Sequence, residues 1–453
     1  MVERILVPFQ GEGSGVEELT WGQKGLWQTM RTDGRSRTMT GIDELPPGKT
    51  VEDAMDTLRF VVSRHQSLRT RMRIDSDGHT RQVLSDTGEV PLEIVDAGDA
   101  DPAAVAVEVR NRYRDTDFDY ENEFPVRMAM VRKDGELTHA VVVYLHTAMD
   151  AFALSILMSD LANMGAGGEV QPVTAIQPLE LARKQRTPAS QRQCDASLRH
   201  LERVLRGISP HRYEPNGVES GWSTIGFTSP AAQLAVRALA ARNNVDTSPV
   251  LLAAYAVAST RITGNNPFVT VLAVSNRFRP GFADSVSPLA QVSPCVIDVA
   301  DASLGEVIGR AWHASMTAYK HAYYDPALRV KLLETVNRDR GQVIDISCFF
   351  NDRREAAREP AGRPMATDQE IRDALPLSRL RWEPAGPTRQ KLYLDLNDAP
   401  NGVDAVDITA TADNRYLTKA DMETLVRGIE AVVVEAALDP AATTGVHSVP
   451  APV

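Results

Sequence analysis

"VVVYLHTAMDAFALSILMSDL", residues 141–161, runs from an apolar stretch into one histidine, then four residues later an aspartate, then an amphipathic segment. Residues 137–144 read as a buried strand. From 152 onward, Phe152, Leu154, Leu157, Met158 and Leu161 recur at helical spacing, and Gly165 ends the run. His146 therefore sits at a strand-to-helix turn, which holds an imidazole rigidly at the edge of a domain. Asp150 falls at the N-cap, where it would accept backbone N–H bonds and stay ionised beside the positive helix end. Nine histidines and sixty acidic residues make an H-x-x-x-D spacing expected by chance, and a second one occurs at His321 and Asp325. Pro326 follows that aspartate directly and a long helical pattern precedes it, so the second match reads as a structural helix-to-loop junction. Context, not spacing, singles out His146.

Working outward, 453 residues that are 43% hydrophobic and 24% charged hold enough apolar material for one large or two medium cores. The formal net charge of −11, with basic residues scattered along the chain, argues against a nucleic-acid or anionic-membrane surface. Cys194, Cys295 and Cys348 lack paired or metal-ligand spacing, so neither a disulfide framework nor a metal site is expected, and a reducing compartment fits. The N-terminus lacks a basic region followed by an apolar one, and the longest apolar run, "VLLAAYAVA" at 250–258, is too short for a membrane span. A cytoplasmic protein with no membrane partner is expected.

Helical and strand patterns alternate throughout. Helices are predicted over 51–65 and 101–116, a hairpin around Gly78, and two strands joined at Asp134-Gly135. Gly/Pro/Ser-rich "GAGGEVQP" and "ISPHRYEPNGVESG" flank a polar helix near 189–206 and mark a connector. Beyond it, helices are predicted at 230–243, 247–261 and 304–320, strands at 267–275, 342–352, in "KLYLDLNDA" and in "AVDITATAD", and a closing helix over "TKADMETLVRGIEAVVVEAAL". The expected organisation is a first lobe over 1–170, a connector over 171–210, and a second lobe over 211–453 whose last dozen residues fray.

At this point the chain resembles the condensation domains of nonribosomal peptide synthetases, within the chloramphenicol acetyltransferase-like acyltransferases. The hallmark HHxxxDG of that family matches Leu145, His146, Asp150 and Ala151. "LTWGQKGLW" (19–27) resembles the opening motif, "VVSRHQSLRTRM" the RHxxLRT segment, and "FPVRMAMV" the PxxR strand. "SPVLLAAYAVASTRITGNNPFVTVLAVSNR" and "SVSPLAQVSPCVIDV" follow in the family's order, and "HAYYDPA" falls where HQDYPFE is usual. Only the first piece is specific; their collinearity over nearly the whole chain carries the resemblance.

The resemblance implies an α/β fold of two acetyltransferase-like lobes in a V-shaped pseudo-dimer, with an active-site tunnel between them. It implies that His146 acts as base toward an amine or alcohol acceptor attacking an acyl thioester, with Asp150 as an organiser. Arg277 in "SNRFRP" is the expected partner of Asp150. Leu145, Ala151, Ser155, Ser293 and Asn351 are expected along the tunnel. Three departures stand out: Leu145 replaces the first histidine, Ala151 replaces the glycine, and "YLDLNDAPNG" stands where a DFGWG latch would be. The first two would make the tunnel floor more apolar and narrower.

No adenylation signature, carrier serine in a GGxS context, or Walker loop is found, and "GEGSG" at 11–15 lacks the strand and Lys-Ser/Thr of a phosphate loop. No bound cofactor is expected. The activated acyl group is expected in trans, on the phosphopantetheine of an acyl or peptidyl carrier protein or on coenzyme A. "RKQR" (183–186) could greet an acidic carrier, though a solvated face explains it as well. Three readings stand: a freestanding condensation enzyme forming an amide or ester in natural-product biosynthesis, a coenzyme A-dependent acyltransferase, and a catalytically silent scaffold that recruits a partner.

Overall fold

The computed structural model describes residues 2–165, 172–354 and 365–448. Contacts divide the chain into two units, Met1–Asp195 with Ser275–Gln291 and Tyr323–Val330, and Ala196–Val274 with Val292–Ala322 and Lys331–Val453. Neither unit is contiguous in sequence, unlike the expected lobes of 1–170 and 211–453.

The first unit is built on β1 (Val2–Gln10), β2 (Gly15–Glu18), α1 (Trp21–Asp33), β3 (Thr38–Glu44), α2 (Val51–Arg64), β4 (Thr70–Ile74), β5 (Thr80–Leu84), β6 (Thr87–Asp96), α3 (Pro102–Asp115), β7 (Val126–Lys133), β8 (Glu136–Leu145), α4 (Ala151–Gly165) and α5 (Pro178–Gln185). Its main sheet has the order β1-β6-β7-β8-β3, in which only β6 and β7 run parallel. A small antiparallel sheet, β2-β5-β4, stands beside it.

Local chemistry explains the boundaries. Thr20 caps α1 through a capping box with Gln23, and Thr50 caps α2 with Asp53. Asp134 and Gly135 both adopt positive φ, 50° and 87°, which matches the twist of the β7–β8 hairpin. The β8 stretch reads as a nearly continuous apolar run because both faces of the sheet are covered. Val141, Val143 and Leu145 pack with Trp27 and Met30 of α1 and Ala106, Val109 and Tyr113 of α3. Ala140 and Tyr144 face Leu58 and Val62 of α2 and Ala153 and Leu157 of α4.

The span 171–210, expected as a connector, holds α5 and α6 (Pro188–Gly207), and the division between units falls inside α6. Most of "GAGGEVQP" lies outside the described residues.

The second unit carries β9 (Trp222–Ser229), α7 (Pro230–Asn243), α8 (Thr247–Thr263), β10 (Phe268–Val274), β11 (Gln291–Ile297), α9 (Leu304–His321), α10 (Pro326–Arg340), β12 (Cys348–Asp352), α11 (Asp368–Ala374), β13 (Arg379–Glu383), β14 (Leu392–Asp398), β15 (Val406–Asp413) and α12 (Lys419–Leu438), apart from the first residues of β11 and α10. The sheet order is β11-β10-β12-β14-β15-β9-β13, and α7, α8, α9 and α12 contribute the helical side of its core. The strand predicted over 342–352 begins only at Cys348, because Ile344 and Asp345 bond to Asn337 and Pro210 instead of to a ladder. The tail expected to fray is anchored as far as Ser448. Thr444 N–H donates to Ala302 O at 2.9 Å and Ser448 N–H to Asp301 at 3.0 Å. The second H-x-x-x-D stands between α9 and α10, as a helix-loop-helix junction.

Candidate active site

The turn at 146–150 is held from beneath and from one side. His146 N–H donates to Arg37 O at 2.9 Å, and Ala148 N–H to Leu145 O at 2.9 Å. Thr147, Ala148 and Met149 are buried, so the turn is embedded, while the His146 ring is half-buried. Nδ1 of His146 lies 2.8 Å from the Met149 carbonyl oxygen. A carbonyl only accepts, so Nδ1 carries the proton and the neutral ring presents its lone pair at Nε2. The ring's orientation and its tautomer follow from one contact within its own turn.

Asp150 is 3% exposed and saturated with donors. Oδ1 accepts from Ala153 N–H at 3.0 Å, the N-cap bond to α4. Oδ2 accepts from Leu289 N–H at 2.9 Å and Ala290 N–H at 3.0 Å. The Arg277 guanidinium closes on both oxygens, Nη1 to Oδ2 and Nη2 to Oδ1, each at 2.9 Å. Arg277 Nη2 also donates to Ser285 O at 3.0 Å and Ser287 O at 3.2 Å. One buried carboxylate therefore pins residues 275–291 beside the turn that carries His146. With every acceptor direction engaged, Asp150 is an organiser of shape.

The seat for that segment depends on Gly22 in the first turn of α1. A Cβ there would lie 1.8 Å from Pro288 O, so only glycine lets the backbones approach. The opposite flank of α4 is fixed by Asp160, to which Arg64 donates at 2.7 and 3.2 Å. His65 Nε2 lies 3.1 Å from the same carboxylate. Burial pushes the Asp160 carboxyl up, but the His65 ring nitrogen beside it and the Arg64 hydrogen bonds outweigh it and hold it at about 2. Sequence reading quoted Gly22, Arg64 and His65 inside motifs without giving them these jobs. The one available signal was Asp160, a charge on an otherwise apolar helix.

The structure thus brings His146, Asp150 and Arg277 to one turn. Leu145 is 4% exposed and packs in the core with α1 and α3. It is the last residue of β8, with its side chain in that core. Ala151 and Ser155 are exposed, one turn apart on α4. Ala151 opens the helix with helical backbone, which its methyl tolerates. Ser293 is buried on β11, and Asn351 on β12 donates to Asp395 Oδ1 at 2.9 Å; both belong to the second unit. Among the described residues no cluster of His, Cys, Asp and Glu could hold a metal ion, and the three cysteines are free and buried. Among the same residues no helix is long and apolar enough to cross a membrane.

A family model described as the condensation domain matches residues 14–378. Phosphinothricin tripeptide synthetase PhsC of Streptomyces viridochromogenes is 24% identical over 310 residues, covering 62% of this chain and 27% of that protein. The chain spans 27%, 8% and 4% of the first three curated relatives it matches, a small part of each. Among solved structures, the condensation domain of the monacolin K polyketide synthase MokA superposes with a TM-score of 0.73 at 17% identity, covering 96% of this chain and 100% of that one. The X-domain from teicoplanin biosynthesis, also solved in a complex with OxyB, gives 0.69 at 19% identity over 95% of this chain and 97% of that one. At such identities the likeness establishes a shared fold.

Proposed function

Since the chain belongs to the condensation-domain family, we propose that it forms an amide or ester bond by moving a thioester-activated acyl group onto an amine or hydroxyl acceptor, with His146 as the base. The observation that carries this reading is the 2.8 Å contact between His146 Nδ1 and the Met149 carbonyl. It leaves Nε2 as the acceptor of the nucleophile's proton while the nitrogen or oxygen attacks the carbonyl carbon. When that proton arrives, the imidazolium keeps its hydrogen bond to Met149, so the ring need not turn between the two charge states. The proton then passes to the departing thiolate as the tetrahedral intermediate collapses. A thioester needs no metal to activate it, and first-turn N–H groups of α4 offer partial positive charge near the developing oxyanion.

The donor in this reading is the phosphopantetheine thioester of an acyl or peptidyl carrier protein; coenzyme A is the alternative. A scaffold reading is favoured by one observation, the likeness to an X-domain solved in complex with OxyB, together with the departures at Leu145 and Ala151. Mass spectrometry of products from acyl-carrier and acyl-coenzyme A donors, offered with amine and alcohol acceptors, separates the readings. Transfer from the carrier alone supports the first. No transfer from any donor, with capture of a protein partner, supports the scaffold.

A further inference from the structure

A cavity of about 590 Å³ lies within the first unit, between the main sheet and helices α2 and α4. That is the size of a small-molecule site. Its wall along β8 is formed by Ala140, Val142 and Tyr144, which alternate onto one face, and by Leu137 beyond the irregularity in the β7–β8 pairing. His146 follows two residues past Tyr144, in the turn that β8 runs into at Leu145. Leu154 of α4, one helical turn beyond the turn that carries His146, closes the same end. From Tyr144 back to Leu137 the wall extends about 23 Å, at roughly 3.3 Å per residue.

One glycine on the edge of the sheet leaves part of this space unfilled. On the edge strand β3, Met39, Gly41 and Asp43 stand opposite Tyr144, Val142 and Ala140. A Cβ at Gly41 would meet nothing within 4 Å, so the position opposite Val142 is open space. Four methionines, Met39, Met128, Met130 and Met158, line it, flexible thioethers that mould to a flexible chain. The ionisable groups Asp43, Lys49 and Asp53 stand on the exposed rim formed by β3 and the start of α2. The wall along β8 carries none beyond the Tyr144 phenol.

We propose that this cavity binds the hydrocarbon tail of a straight-chain, medium-length acyl donor, whose thioester carbonyl reaches His146 past Tyr144. This rests on the acyl-transfer reading for its link to His146, but the cavity's preference for an aliphatic chain is measurable without turnover. The carbonyl end needs to cover only the roughly 7 Å that two residues span at most. Beyond it, each methylene enters a wall of aliphatic and thioether groups.

The test is calorimetric binding of straight-chain N-acetylcysteamine thioesters, butanoyl, hexanoyl, octanoyl and decanoyl, to the whole chain with no acceptor present. Affinity should rise about fourfold per methylene, the equivalent of about 0.8 kcal/mol, until the cavity fills. Gly41→Phe, which places a ring where a Cβ meets only space, should flatten that series and weaken octanoyl binding at least about tenfold. Gly41→Leu, a smaller plug, should move the plateau to a shorter chain and serves if the phenylalanine variant melts early. A series flat in the parent, or one that keeps its slope in both plugged variants, overturns the proposal. A chain-length slope in a protein that transfers no acyl group would leave the pocket standing and sink the enzyme reading instead.

Discussion

Asp150 and Arg277, 127 residues apart in the chain, form a two-point ion pair at 2.9 Å in which the carboxylate also accepts two backbone N–H groups from Leu289 and Ala290. Removing the carboxylate leaves the Arg277 guanidinium without its counter-charge and the Leu289 and Ala290 N–H groups without their acceptor, so Asp150→Ala should cost about 3–5 kcal/mol. Arg277→Lys should also destabilise, because an ammonium cannot reproduce the fork that reaches Asp150, Ser285 and Ser287 together. Denaturant midpoints measure both; an Asp150→Ala midpoint indistinguishable from the parent would show that the pair is not holding the segment.

His146→Ala should separate chemistry from folding. A half-buried ring at a turn contributes little core packing, so the melting temperature should barely change. Acyl transfer should fall by about 10²–10⁴-fold, the range of general-base contributions. Turnover unchanged beside an active parent would remove His146 as the base.

Gly22→Ala tests the seat of residues 285–291. The added methyl cannot coexist with Pro288 O at 1.8 Å, so either α1 or the segment must shift. A loss of about 1–3 kcal/mol is expected, as for overpacked cores. Gly25→Ala, where a Cβ would meet the Pro326 ring at an ordinary 3.5 Å, should be far milder. Equal effects of the two would contradict the close approach.

Leu145→His, which restores the family's paired histidines, should not be a mild change. Leu145 lies in the core with Trp27 and Tyr113, so an imidazole there would be buried among apolar side chains. The cost should be about 2 kcal/mol or more from lost apolar burial and an unmet polar group. A variant that melts like the parent would place Leu145 outside the core.

Acid should loosen α4 through Asp160. Its carboxyl is held at about 2 against an ordinary value of 3.8, so its contribution is present above about pH 4 and is lost as pH falls through about 2. For a partly wet site the contribution is on the order of 1–2 kcal/mol. Asp160→Asn should be less stable than the parent at pH 6 and should converge with it near pH 2. Parallel stability curves across that range would argue against the pairing with Arg64.

Much of the fold is legible in one dimension because its signals are local. The β8 run, the turn at His146 and the start of α4 follow from hydrophobic spacing and a capping aspartate. Asp134-Gly135 marks its hairpin because only certain residues adopt positive φ cheaply. Helices over 230–243 and 304–321 fall where apolar period and caps predict them. The sequence reading gives no strand at β1, β3 and β13, edge strands short of buried neighbours and weak in alternation, nor at the interior strands β6 and β9.

What the sequence by itself determined is the candidate base, its strand-turn-helix setting and, through collinear motifs, the family. Tertiary structure alone decided two further matters. Pairing of β8 with β3 and β7 settled which face of the pleat each residue takes, sending Leu145 into the core and leaving a void at Gly41. Long-range hydrogen bonds to Asp150 settled that residues 275–291 belong with the first unit although they follow β10 of the second. Each depends on residues far apart in the chain being brought together by folding, a closeness that no spacing along a chain encodes.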